Sequence, residues 1–156
     1  MVKAQEVAFC LDKGMVLIDV RTDDQYQKGF IEGAKSVPLY RMIQGWEPFK
    51  IARRVAFAAF GVLKGTEPNP DFLDEVAKVA NKDTGIVLCC NVGGDLTAPE
   101  GGTPAIQSRS LVAAYELLKD GYSPIRILQD GVNGWRASGR DLWVVEEEAS
   151  VADNNA

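Results

Sequence analysis

Two short, uninterrupted apolar runs decide what this chain can become. Met15-Val16-Leu17-Ile18, continued by Asp19-Val20, and Ile86-Val87-Leu88-Cys89 carry apolar residues at consecutive rather than alternate positions. A strand sends successive side chains to opposite faces, so such a run suits a strand buried on both sides. Strands of that kind sit centrally in parallel sheets, with helices above and below. Residues 124–128 supply a third strand, and Ser36-Val37-Pro38 a brief one stopped by its proline. Between them, residues 2–11, 22–29, 47–63, 69–81, 108–120 and 132–138 read as helices. Strands alternating with helices predict an α/β domain with a central, mostly parallel sheet and helices on both faces.

The chain has 156 residues, the size of one domain. Residues 1–144 are assigned to that domain. Residues 145–156, with Glu146-Glu147-Glu148 and Asp153-Asn154-Asn155, have little to bury and read as a disordered acidic tail. Thr22, followed three residues on by Gln25, has the form of a capping box. Residues 65–70 read as a turn, with Asn69 as a cap and Pro70 opening the next helix. The helix over 47–63 carries an apolar stripe of Phe49, Ile51, Ala52, Val55, Ala56, Ala59 and Phe60. Arg53-Arg54 on it reads as a solvated basic pair.

A net charge of −5 and a pI near 4.8 argue against broad nucleic-acid binding, which needs a basic surface. No apolar run approaches the roughly 20 residues that span a bilayer, so no direct membrane insertion is expected. The chain opens on an amphipathic pattern rather than a signal peptide, and a targeting segment removed ahead of Met1 is compatible with that. Histidine is absent, which removes Ser-His-Asp and Cys-His catalysis and histidine metal sites. Cys10, Cys89 and Cys90 form no zinc pattern and no disulfide framework, as in a reducing compartment. The reading calls for no metal and no cofactor.

Chemistry concentrates in one segment: a strand, Cys90, a Gly-rich loop, and Ser108-Arg109-Ser110 at the head of a helix. Gly93, Gly94, Pro99, Gly101, Gly102 and Pro104 mark residues 91–104 as loop. In α/β sheets, ligands bind beyond the carboxyl ends of strands, where Cys90 stands. The helix N-terminus offers unpaired N–H groups and partial positive charge. Such a place binds anions and favours thiolate over thiol. Arg109 adds a planar fork suited to an oxyanion. A cysteine closing an apolar strand is equally at home as an inert core residue. Cys10 and Cys89 are assigned to the core. Strand alternation turns Cys90 to the side opposite Cys89, and Cys90 keeps both readings.

Four segments, in order over residues 3–143, resemble the rhodanese family. Ile18-Asp19-Val20-Arg21 is similar to its early strand ending in Asp-Val-Arg. Lys28-Gly29-Phe30-Ile31-Glu32-Gly33-Ala34-Lys35-Ser36-Val37-Pro38 is similar to its Gly-His-Ile-x-Gly-Ala-x-x-Ile-Pro stretch. Ile86 to Cys90, taken up again at Ser108-Arg109-Ser110, resembles its active-site strand and loop. Leu128-Gln129-Asp130-Gly131-Val132-Asn133-Gly134-Trp135 resembles its closing Leu-x-Gly-Gly-x-x-x-Trp.

The resemblance implies a sulfurtransferase. Cys90 would take a sulfane sulfur from a thiosulfate-type donor as a persulfide and pass it to a thiol or cyanide. Arg109 would orient the anionic donor, and Ser108, Ser110, Asn91, Gly93 and Gly94 would surround it. Asp19 and Arg21 would pin loops near the site. The partners implied are a small sulfur donor and a thiol acceptor. Three departures stand out. Phe30 replaces the usual histidine, and Asp130 the first glycine of the closing pair. The third is larger: 18 residues, 91–108, separate Cys90 from Arg109, where the family places about four or five. Long loops of this kind resemble plant plastid members, which implies a plastid location, with the cytoplasm as alternative. The long loop also motivates a second function, a non-catalytic module that docks a protein partner. A third, a dual-specificity type of phosphatase, is disfavoured because its phosphate cradle needs a short cysteine-to-arginine span.

Overall fold

The computed structural model describes residues 1–43, 47–59, 65–94 and 107–144, the side chains of residues 54 and 57–59 excepted. The expected acidic tail and the middle of the Cys90 loop lie outside the described residues. In chain order the elements are α1 (Val7–Asp12), β1 (Val16–Asp19), α2 (Asp23–Gln27), β2 (Lys35–Ser36), β3 (Tyr40–Met42), α3 (Pro48–Ala59), β4 (Thr66–Pro68), α4 (Phe72–Ala77), β5 (Ile86–Cys89), α5 (Arg109–Lys119), β6 (Ile125–Ile127) and α6 (Gly131–Ala137). A 3₁₀ turn at Ala4–Glu6 leads into α1.

The main sheet runs β2-β1-β5-β6, every pair parallel. Its two central strands are the two apolar runs. Leu17, Ile18, Ile86, Val87 and Leu88 have no exposed surface. Each such Leu, Ile or Val contributes about 1.5–3 kcal/mol by leaving water. Their side chains divide by parity. Ile18, Ile86, Leu88 and Cys90 join Phe72 and Val76 of α4 and Ala113, Ala114 and Leu117 of α5. Leu17, Val87 and Cys89 join Val7 and Cys10 of α1 and Val132 of α6. Helices therefore cover both faces, and the adjacent cysteines sit in different cores.

Local pattern and tertiary contact disagree in five places. Val2 belongs to no helix: its N–H donates to Ile127 O at 2.9 Å, its carbonyl accepts from Gln129 N at 2.8 Å, and it lies beside Leu128 as a parallel bridge. The stretch 65–70 is not simply a turn, because Thr66–Pro68 pairs antiparallel with Tyr40–Met42. Asn69 does not cap α4. Its Oδ1 accepts from Asp71 N at 3.1 Å in a turn, and Asp71 precedes the helix. Thr22 stands at the cap position of α2, yet its hydroxyl donates to Asp24 Oδ1 at 2.6 Å rather than capping a backbone N–H. On α3 the apolar stripe faces water at Phe49, Ile51 and Val55. Arg53, beside them, lies 3.9 Å from Glu67 and over the Phe49 ring. No helix among the described residues is long and apolar enough to cross a membrane.

Candidate active site

Parallel pairing of β1 with β5 sets Asp19 opposite Cys89 at the carboxyl edge of the sheet. Both chains then leave the sheet together, one into Val20-Arg21-Thr22 and the other into Cys90-Asn91-Val92. Asp19 and Arg21 form a buried pair, 0% and 5% exposed. Arg21 Nε lies 3.0 and 2.9 Å from the two carboxylate oxygens, and Nη2 lies 2.6 Å from Oδ2. The same Nη2 donates to Gly29 O at 2.7 Å, which ties the α2–β2 connection to the sheet edge.

Cys90 is 1% exposed, and its thiol donates to Gly93 O at 3.6 Å. Burial pushes the Cys89 thiol well above its ordinary value, with the Asp19 carboxylate adding to the rise and Arg21 opposing it. Cys89 is thus held as a neutral thiol beneath the site. Among the described residues, no three Asp, Glu or Cys side chains gather as metal ligands would.

The first half of the Cys90 loop is fixed by backbone. Cys90 O accepts from Val132 N at 2.8 Å and Asn91 O from Asn133 N at 2.9 Å. Gly93 and Gly131 meet without room for side chains. A Cβ on Gly131 would lie 2.2 Å from Cys90 O and 2.5 Å from Gly93 N. A Cβ on Gly93 would lie 2.3 Å from Leu128 O. Both have positive φ, +66° and +57°, so each glycine is required twice over. Asp130 takes φ +59°, so it keeps the left-handed conformation expected of the glycine it replaces, and its side chain lies where a Cβ on Gly134 would be. Among the described residues, no backbone carbonyl accepts from the N–H groups of residues 91–94.

The second half of the loop is fixed by the head of α5. Ser108 caps it, its hydroxyl accepting from Leu111 N at 3.2 Å. The two halves converge, since a Cβ on Gly94 would stand 2.8 Å from Leu111 Cγ. The 18-residue span therefore begins and ends at neighbouring points. Arg109 reaches across to α2, where Nη1 donates to Gln25 Oε1 at 2.8 Å. Ser110 is fully buried, and its hydroxyl has no hydrogen-bond partner among the described residues. The sequence reading missed Gln25 in this role, having spent it on a capping box. Its one available signal was its place just beyond the carboxyl end of a central strand.

Comparison with known proteins places this arrangement. The model of the rhodanese-like domain matches residues 3–138. The chain is similar to rhodanese-like domain-containing protein 14, chloroplastic, of Arabidopsis thaliana: 36% identity over 137 residues, covering 88% of this chain and 61% of that one. It is also similar to thiosulfate sulfurtransferase 18 of the same plant, at 26% identity over 90% of this chain and 81% of that one. The chain thus spans only about 60% of the length of the first of these relatives. A crystal structure of a rhodanese-like domain protein from Staphylococcus aureus superposes with a TM-score of 0.52, at 17% identity over 92% of this chain and 95% of that one.

Proposed function

The chain belongs to the rhodanese-like domain family, and on that footing we propose that it is a sulfurtransferase carrying sulfane sulfur on Cys90. The observation that supports this most is the convergence of the two loop halves, Gly94 against Leu111, in spite of the long span between Cys90 and Arg109. The Cys90 thiolate would attack the outer sulfur of a thiosulfate-type donor. A new S–S bond forms to Cys90, the donor's own S–S bond breaks, and sulfite leaves with the electron pair. An acceptor thiolate or cyanide then takes the outer sulfur, and Cys90 leaves as thiolate. The N–H groups of Asn91, Gly93 and Gly94, with those of Arg109 and Ser110 at the head of α5, are the donors that would serve the anionic sulfur. Arg109 keeps guanidinium N–H groups beyond the one spent on Gln25, and these suit the donor's oxyanion. A plastid location rests on the chloroplastic relative.

Incubation with thiosulfate is expected to add the mass of one sulfur atom to Cys90, and Cys90→Ser is expected to abolish sulfur transfer. Equal transfer by that variant and the parent would end the proposal. The 1% exposure of Cys90 favours a second reading, a docking module without catalysis. Absence of persulfide with thiosulfate and with other sulfane donors, alongside a stable protein complex, would favour it.

A further inference from the structure

Ser110 is a polar side chain that the fold alone does not explain. It lies in the first turn of α5, one turn before Ala113 and Ala114 and two before Leu117. Residues three and four apart share a helix face, and this face packs into the cluster that contains Cys90. The helix begins at the sheet's carboxyl edge, so Ser110 is the residue of that face nearest the level at which β5 delivers Cys90. The hydroxyl is fully buried and has no partner among the described residues. A buried hydroxyl without a partner destabilises a fold, and alanine would fit the same space without that cost. Such orphaned groups in native folds call for an explanation, a role in the chemistry of the site being one.

Cys90 supplies one. As a thiol, its sulfur donates to the Gly93 carbonyl. As a thiolate or a persulfide anion it has no proton to give, and it faces that carbonyl as an acceptor facing an acceptor. It then needs donors. The N–H groups of Arg109 and Ser110 are unspent by helix geometry, Leu111 N–H being taken by the Ser108 cap, and the Ser110 hydroxyl has no partner among the described residues. We propose that Ser110 is a positioning residue for Cys90: its hydroxyl donates to the anionic sulfur while the Gly93 carbonyl turns aside. The inference deepens the sulfurtransferase reading and rests on Cys90 being the reactive thiol.

The test compares Ser110→Ala with the parent by two measurements. One is the rate of Cys90 alkylation by iodoacetamide at neutral pH, with the site fixed by tandem mass spectrometry. The other is the midpoint of thermal unfolding. A hydrogen bond to a charged group predicts that alkylation slows about tenfold or more. Loss of an unpaired buried hydroxyl predicts an unfolding midpoint equal to or above the parent's. Slower labelling in an equally or more stable protein supports the inference, because a purely structural serine would move both quantities downward together. Unchanged labelling, or slower labelling in a destabilised protein, overturns it. Alkylation reads the sulfur anion whether or not thiosulfate is a donor. A parent that labels at Cys90 yet forms no persulfide therefore defeats the sulfurtransferase reading alone, and a parent that never labels defeats both.

Discussion

Asp19 has no exposed surface, and its carboxylate accepts from Arg21 through backbone N–H, Nε and Nη2. Two buried charges held this closely add little net stability as a pair, because desolvation offsets their attraction, and are costly when one is removed. Asp19→Asn keeps the shape and strands the guanidinium. It is expected to lower unfolding stability by about 3–5 kcal/mol in urea titration, and a loss near zero would show that Arg21 finds another anion. At this scale the sequence was readable where a residue's role is local. Cys90 follows an apolar run, and Ser108 opens an amphipathic helix, although its hydroxyl was read as surrounding the donor and serves as the cap. Gln25 was not readable, because its contact with Arg109 spans 84 positions and no local pattern encodes it.

Among elements, the decisive contact is the one between the Gly93 turn and the start of α6. Gly131→Ala asks for a left-handed alanine and drives a Cβ into Cys90 O, whereas Gly139, at φ +76°, has nothing within 4 Å of its missing Cβ. Gly139→Ala is therefore expected to cost only the conformational term, about 1–2 kcal/mol. Gly131→Ala is expected to cost more, about 3 kcal/mol, and to change the labelling rate of Cys90 as the turn moves. Equal costs in the two variants would refute the close approach. The central strands and main helices were legible because burial on both faces writes an uninterrupted run, and helices write their period. β4 was not, because Thr66-Glu67-Pro68 owes its strand character to Tyr40–Met42, a partner read from elsewhere in the chain. Val2 was misread for the same reason: helical spacing at 2–11 is real, but the β6 edge claims its first member.

For the molecule as a whole, Cys89 links the sheet core to alkaline stability. Its folded value is raised by burial, while the unfolded chain releases that proton near its ordinary value of about 8.5. Folding therefore retains a proton that the unfolded chain gives up. The stabilisation from this group is complete below about pH 8.5 and is lost as pH rises toward the folded value, by up to about 1.4 kcal/mol per pH unit. Stability measured between about pH 8.5 and 10 should fall less steeply in Cys89→Ala than in the parent. Parallel slopes would show that the thiol ionises as readily folded as unfolded.

The meeting of Gly94 with Leu111 also bears on how such chains diversify. Closure entropy grows only with the logarithm of loop length, so going from about five to 18 residues between fixed ends adds on the order of 1 kcal/mol. Both ends are held by contacts that the intervening residues do not supply. Lineages can thus lengthen, shorten or rewrite this stretch while the surroundings of Cys90 keep their form. For protein engineering, the same stretch is a grafting port: a recognition peptide spliced between Gly94 and Gln107 is expected to leave intact the scaffold contacts that hold the two ends.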